Sequence, residues 1–139
     1  MAATLRLEVV TPERMLIREQ VLEVRVPGLG GEMGILPEHA PLISELVCGP
    51  LAFTLETGQQ KCLSICGGYV EVLPDRVRVL AKFAELADEI DVKRAEGALH
   101  RAEERVLHPT ADLDSARALN AMKRAQARLA AAKLGAAKK

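Results

Sequence analysis

Gly67-Gly68-Tyr69-Val70-Glu71-Val72-Leu73-Pro74-Asp75-Arg76-Val77-Arg78-Val79 alternates apolar and polar residues on both sides of a Pro-Asp break. Val70 and Val72 alternate with Tyr69 and Glu71, and Val77 and Val79 with Arg76 and Arg78. A period of two sends successive side chains to opposite faces, so each run reads as a half-buried strand and Pro74-Asp75 as the turn between them. The same pattern recurs upstream: Leu5, Leu7 and Val9; Leu22, Val24 and Val26, ended by Pro27-Gly28; Leu51, Phe53 and Leu55, bounded by Gly49-Pro50 and Thr57-Gly58. Roughly 80 residues of this kind make eight to ten strands of about five residues each, which predicts a β-sandwich or flattened barrel.

Downstream of residue 84 the composition changes. Residues 1–83 hold both Phe, the single Tyr, six of the seven Pro and eight of the ten Gly, whereas residues 84–139 hold 16 Ala and no aromatic. With only one Pro and two Gly, this Ala-rich stretch favours helix. Val92, Ala95, Leu99, Ala102 and Val106 step by three and four, which places them on one helical stripe. Asp91 is placed to cap that helix. Leu107 to Asp112 breaks the pattern at Pro109, which disfavours helical geometry at His108. Asp112 or Asp114 then caps a second helix whose apolar side carries Ala118, Met122, Ala125, Leu129 and Ala132. Seven basic residues and no acid between Ala116 and Lys139 suit a helix C-terminus. The expected organisation is α+β: a β-sandwich over residues 1–84 and an antiparallel two-helix hairpin over 85–139.

Burying an Ala gains about 0.8 kcal/mol per methyl-sized group, against about 1.5–3 for a Leu-sized side chain. An Ala-lined hairpin is therefore marginal alone, must be held against something else, and is movable.

The 139 residues carry 19 basic and 19 acidic side chains. That balance argues against a nucleic-acid partner, which calls for surplus positive charge. No apolar run reaches the roughly 18–20 residues that cross a bilayer, and the alternating N-terminus does not read as a signal peptide. Three Cys is an odd count, which suits reduced thiols. Cys48, Cys62, Cys66 and His39 are the conceivable zinc set, but Cys62 and Cys66 lie four apart on one strand rather than in close pairs. Buried thiols acting as small apolar residues fit better, and no metal is expected. Gly28-Leu29-Gly30-Gly31-Glu32-Met33-Gly34 lacks both the Gly-Lys-Ser/Thr ending of a P-loop and a following helix, so it reads as turns. His39, His100 and His108 have no nucleophile or carboxylate at a telling spacing, so no catalytic residue is expected.

The helices carry the remaining chemistry. Asp91, Arg94, Arg101 and Arg105 recur at helical steps around Ala98, and Arg117, Arg124 and Arg128 recur on the second helix. Guanidinium groups converging from both helices would suit phosphate oxygens, which their planar fork meets with paired hydrogen bonds. Spacing alone favours a solvated face, partly neutralised by Glu96, Glu103 and Glu104.

Gly31-Glu-Met-Gly-Ile-Leu-Pro-Glu-His-Ala-Pro-Leu42 together with Gly67-Gly-Tyr-Val-Glu-Val72 closely resembles the epsilon subunit of F-type ATP synthases, over nearly the whole chain. The resemblance implies a ten-stranded β-sandwich that binds the gamma subunit and rests on the c subunits of the rotor ring, with Glu32, Met33 and His39 in the ring-facing loop. It implies a non-catalytic subunit coupling gamma to the rotor for proton-driven ATP synthesis. The hairpin would permit ATP hydrolysis when docked and inhibit it when extended, its basic residues then meeting the alpha and beta subunits of the catalytic head. Ile90-Asp91-Val-Lys-Arg94-Ala95 matches the family's Ile/Leu-Asp-x-x-Arg-Ala motif, which binds ATP in some members. With Arg101, Arg124 and Arg128 it implies a regulatory ATP site and no required cofactor. The implied location is peripheral, on the cytoplasmic face of a bacterial inner membrane. The alternative is a free-standing ATP-binding sensor module, which would not co-purify with gamma.

Overall fold

The structure is a computed structural model and describes residues 3–137. Met1, Ala2 and the basic Lys138 and Lys139 lie outside the described residues. The strands are β1 (Leu5–Val10), β2 (Met15–Gly28), β3 (Gly31–Ile35), β4 (Leu42–Glu45), β5 (Gly49–Leu55), β6 (Gln60–Leu73) and β7 (Arg76–Leu86). A 3-10 turn (Ala87–Glu89) leads to α1 (Val92–Leu107) and α2 (Ser115–Ala137).

The strands run β1-β7-β6-β5-β2-β3, with β1 also paired to β2, so five of them close into a ring. β3 extends from β2 and β4 from β6, and a bridge between Gly28 and Leu46 ties these two edges together. The result is a flattened β-sandwich built on a closed barrel, followed by two helices. The seven strands among the described residues are fewer than the ten that the resemblance implies. β2, β6 and β7 are 14, 14 and 11 residues long, and each pairs with more than one neighbour along its length.

The bend in β6 falls at Gly67 and Gly68, whose φ angles are +79° and +110°. A Cβ at Gly68 would run into the Leu80 carbonyl oxygen of β7. Only glycine tolerates that combination of backbone and close approach. Around this corner the inward set changes parity. Leu63 and Ile65 face the core before it and Val70 and Val72 after it, while the β6–β7 register is unbroken from Leu63↔Leu86 to Leu73↔Arg76. A bulge in β2 likewise makes Val21, not Leu22, the buried residue beside Val24 and Val26.

Leu5, Leu7, Val9, Leu51, Phe53, Val77 and Val79 join these residues in an aliphatic core. The helices start where expected. Asp91 accepts a hydrogen bond from the Arg94 amide at 3.0 Å, and Asp114, not Asp112, accepts from the Arg117 amide at 3.0 Å. α2 lies between α1 and the barrel, packing on β5 and β6. Its buried Ala118, Ala125, Ala127 and Ala131 meet these neighbours with small side chains, and Ala95 and Ala102 are the buried residues of α1. Val92 and Val106, expected in the same stripe, stay 42% and 38% exposed. α1 packs principally on one helix, too narrow a partner to cover the whole stripe.

The cysteines differ from expectation. Cys48 and Cys66 form a disulfide, because the antiparallel register Gly49↔Ile65 sets them directly opposite one another. Cys62 is buried, and its thiol donates to the Ala131 carbonyl oxygen at 3.1 Å, tying β6 to α2. Among the described residues no helix is long and apolar enough to cross a membrane.

Candidate functional site

Arg124 and Arg128, one turn apart, project from α2 toward β7. Arg128 Nε donates to Glu85 Oε2 at 2.9 Å, and the Arg124 guanidinium lies 5.2 Å from the centroid of the Phe83 ring. Together with Thr11, Glu13, Ser64 and Lys82 they line a cleft of about 380 Å³ between α2 and the barrel. Three cations and two carboxylates over an exposed aromatic face give a mixed but anion-tolerant lining. Sequence reasoning missed Lys82, Phe83 and Glu85. Alternation read from Val77 and Val79 puts Phe83 and Glu85 on the inward parity, and only the Gly67-Gly68 corner turns them outward.

The other implied ATP residues lie elsewhere. Asp91 is committed to its cap and Ala95 is buried, while Ile90 is half-buried and closes the 3-10 turn through its amide to the Ala87 carbonyl. Arg94 and Arg101 stand exposed on α1, outside the lining of the cleft. Arginines of both helices line one hollow at the turn end of the hairpin. There Arg105 of α1 joins Arg117 and Arg124 of α2, with Asp112 and Asp114, around a shallow hollow of about 570 Å³. The Thr110 hydroxyl donates to Asp112 at 2.8 Å and, with the residue's own amide, holds this carboxyl below its usual range.

Glu32 and Met33 lie on β3. Glu32 is exposed, whereas Met33 packs partly on the core. His39 lies in the following loop, its Nδ1 2.7 Å from the Ala40 carbonyl oxygen. That loop is pinned to the β6–β7 turn by the Glu38 amide, which donates to the Pro74 carbonyl oxygen at 3.0 Å.

α2 covers only part of the barrel's outer face. Beyond the Gly67-Gly68 corner, β4, β6, β7, β1 and β2 present open rungs. One rung carries Glu45, Tyr69, Leu80, Val10 and Met15; its three large apolar side chains Tyr69, Leu80 and Met15 are 56%, 50% and 47% exposed, with the exposed Glu45 carboxylate at its β4 end. The next carries Ile43, Glu71, Arg78, Glu8 and Arg18. With Ile43, 71% exposed, on the next rung, these side chains give the barrel an open apolar surface away from the helices.

Residues 4–87 match the beta-sandwich domain of the ATP synthase delta/epsilon chain, and residues 88–133 match its long alpha-helix domain. The chain belongs to the ATP synthase delta/epsilon chain family. The epsilon chain of Solibacter usitatus is 52% identical over 95% of this chain and 98% of its own length. That of Syntrophobacter fumaroxidans is 48% identical over 93% and 96%. In fold, a chain of the Euglena gracilis mitochondrial ATP synthase superposes with a TM-score of 0.79 at 24% identity, over 89% of this chain and 78% of that one. As a member of the epsilon-chain family, the protein is a non-catalytic subunit of ATP synthase.

Proposed function

We propose that this chain is a central-stalk subunit that couples a gamma subunit to the c subunits of the rotor ring during proton-driven ATP synthesis, and that its hairpin gates ATP hydrolysis. The gamma subunit docks on the open outer face around Ile43, Tyr69 and Leu80. The ring is met by the β3 region and the loop after it, through Glu32, Met33 and His39. The chain then sits peripherally on the cytoplasmic face of a bacterial inner membrane.

The observation that carries the gating reading is the composition of the contact beneath α2. Ala127 and Ala131 supply its buried side chains, with two arginine contacts at its border. Such a contact contributes little per residue and releases as one unit. Docked, the hairpin leaves the catalytic alpha and beta subunits free; extended along gamma, it brings Arg117, Lys123, Arg124 and Arg128 to their acidic surface and inhibits hydrolysis. ATP bound by the hairpin's arginines, Arg124 and Arg128 of α2 with Arg94 and Arg101 of α1, favours the docked state; within the Ile90-to-Ala95 motif, Asp91 caps α1 and Ala95 packs the helix pair. At a hundred times its dissociation constant, a ligand of one state shifts the balance by about 2.7 kcal/mol. That decides the outcome when the two states lie within a few kcal/mol.

The test is ATP hydrolysis by the reconstituted catalytic complex with the full chain and with a chain ending at residue 90. Relief of inhibition by the truncation, with gamma binding intact, is the expected result. Equal hydrolysis with both chains refutes the gate, and failure of the full chain to bind gamma refutes the stalk assignment.

A further inference from the structure

The rung of the open face farthest from α2 carries two cations that no described residue neutralises. Arg6 of β1 and Arg76 of β7 are direct partners in the parallel pairing, flanked by Leu73 on β6 and Gln20 on β2. Both side chains are half-buried, and the Nε of each is buried without a hydrogen-bond partner. Among the described residues neither makes an ion pair. The neighbouring acid is already engaged: Glu8, 6% exposed, takes Arg78 at 3.4 Å, and Glu71 stands opposite Arg78 on its other side. Like charges set directly across a sheet repel, and charged donors held against the surface without an acceptor are costly. A site that is unfavourable in the free chain is relieved by an incoming anion.

The position of the rung says which anion. Four residues along the strands, about 13 Å at 3.3 Å per residue, separate it from the Tyr69–Leu80 rung; between them lies the Glu71–Arg78–Glu8–Arg18 rung, of balanced charge, in which Arg78 pairs with Glu8. A small free anion would have no use for the apolar rung, whereas a protein surface can meet all three. Resting on the docking reading above, we propose that Arg6 and Arg76 receive a carboxylate of the gamma subunit, an Asp or Glu presented about 13 Å from the apolar ridge that seats on Tyr69 and Leu80. The flat guanidinium groups expose their outer edges, which take carboxylate oxygens in paired hydrogen bonds. The charges then set orientation and association rate, and the apolar rung sets lifetime.

The experiment measures binding of the full chain to the purified gamma subunit at low and at physiological salt, for wild type, Arg6→Gln/Arg76→Gln and Leu80→Asp. The double substitution is expected to weaken binding 10- to 100-fold at low salt, mainly through slower association, and to flatten the salt dependence. Its thermal midpoint should equal or exceed that of wild type, because a like-charge pair has been removed. Leu80→Asp should abolish binding at either salt. If Leu80→Asp abolishes binding while the double variant keeps wild-type affinity and salt slope, the carboxylate proposal is overturned and the docking face stands. If Leu80→Asp binds like wild type, the docking reading itself fails. Millimolar inorganic phosphate supplies the second arm. Saturable shifts of the Arg6 and Arg76 side-chain NMR signals by phosphate in the isolated chain, with gamma binding unaffected by phosphate, would reassign the pair to a free anion and overturn the proposal.

Discussion

Arg128 Nε donates to Glu85 Oε2 at 2.9 Å, and this ion pair joins the second helix to the last strand of the barrel. Its side chains are 39% and 28% exposed, so solvent screens it, and it contributes about 0.5–1 kcal/mol to docking. Glu85→Gln should therefore raise the undocked population about two- to fivefold, read as faster amide exchange in β5 and β6 beneath α2. The exchanged pair Glu85→Arg/Arg128→Glu should recover most of the protection. Unchanged exchange in the single variant would show that the pair is not a latch.

Ala131 is fully buried between α2 and β6, and its carbonyl oxygen accepts from Cys62. Enlarging it to Leu overpacks this contact, at about 1–3 kcal/mol. The expected result is a released hairpin on an intact barrel: protease cleavage after residue 90 accelerates while strand exchange in β1 and β7 stays slow. Cooperative loss of both parts would mean that the helices are integral to the barrel's stability.

Cys48 and Cys66 close a loop with a sequence separation of 18. In the chain-entropy account such a cross-link stabilises by up to about 3 kcal/mol. Reduction, or Cys66→Ser, should lower the thermal midpoint by on the order of 10 °C. Alkylation of two thiols per chain should appear only after reduction.

How much of this was legible in the sequence depended on whether the information was local. Alternation around Val70, Val72, Val77 and Val79 marks strands because it reports burial of single side chains, and Asp91 marks a helix start because a cap is satisfied three residues on. The Gly67-Gly68 corner escaped, since alternation on either side does not tell one bent strand from two strands. The Cys48–Cys66 pairing escaped for a related reason: it follows from the register of β5 on β6, which no spacing within either strand specifies. The arginines show both outcomes. Their helical faces were readable, yet which face α2 turns to the barrel is fixed by tertiary packing, so Arg124 and Arg128 meet Phe83 and Glu85 while Arg94 and Arg101 face solvent.

Asp112 is held below its ordinary pKa, first by the Thr110 hydroxyl and then by its own amide. A depressed carboxyl contributes stability that is present above its unfolded pKa and lost as pH falls through the folded value. The turn between the helices should accordingly loosen only in acid, below the ordinary carboxylate range. Thr110→Val should return the Asp112 titration, followed by carboxyl carbon shifts in NMR, toward that range. An unmoved titration would assign the depression to another cause.

Arg94 and Arg128 separate ligand binding from docking. Arg94 is exposed, and among the described residues its side chain makes no ion pair, so removing it should leave the docked fold untouched. Arg128 serves both the proposed ATP site and the Glu85 contact. In calorimetric titration with ATP, Arg94→Ala should weaken affinity at least tenfold, with unchanged amide exchange beneath α2 in the absence of nucleotide. Arg128→Ala should weaken affinity and speed that exchange together. If Arg94→Ala binds ATP as wild type does, the nucleotide is held by the cleft residues of α2 and β7 without α1. If wild type binds no ATP at millimolar concentration, the hairpin is left to respond to mechanical and protein contacts alone.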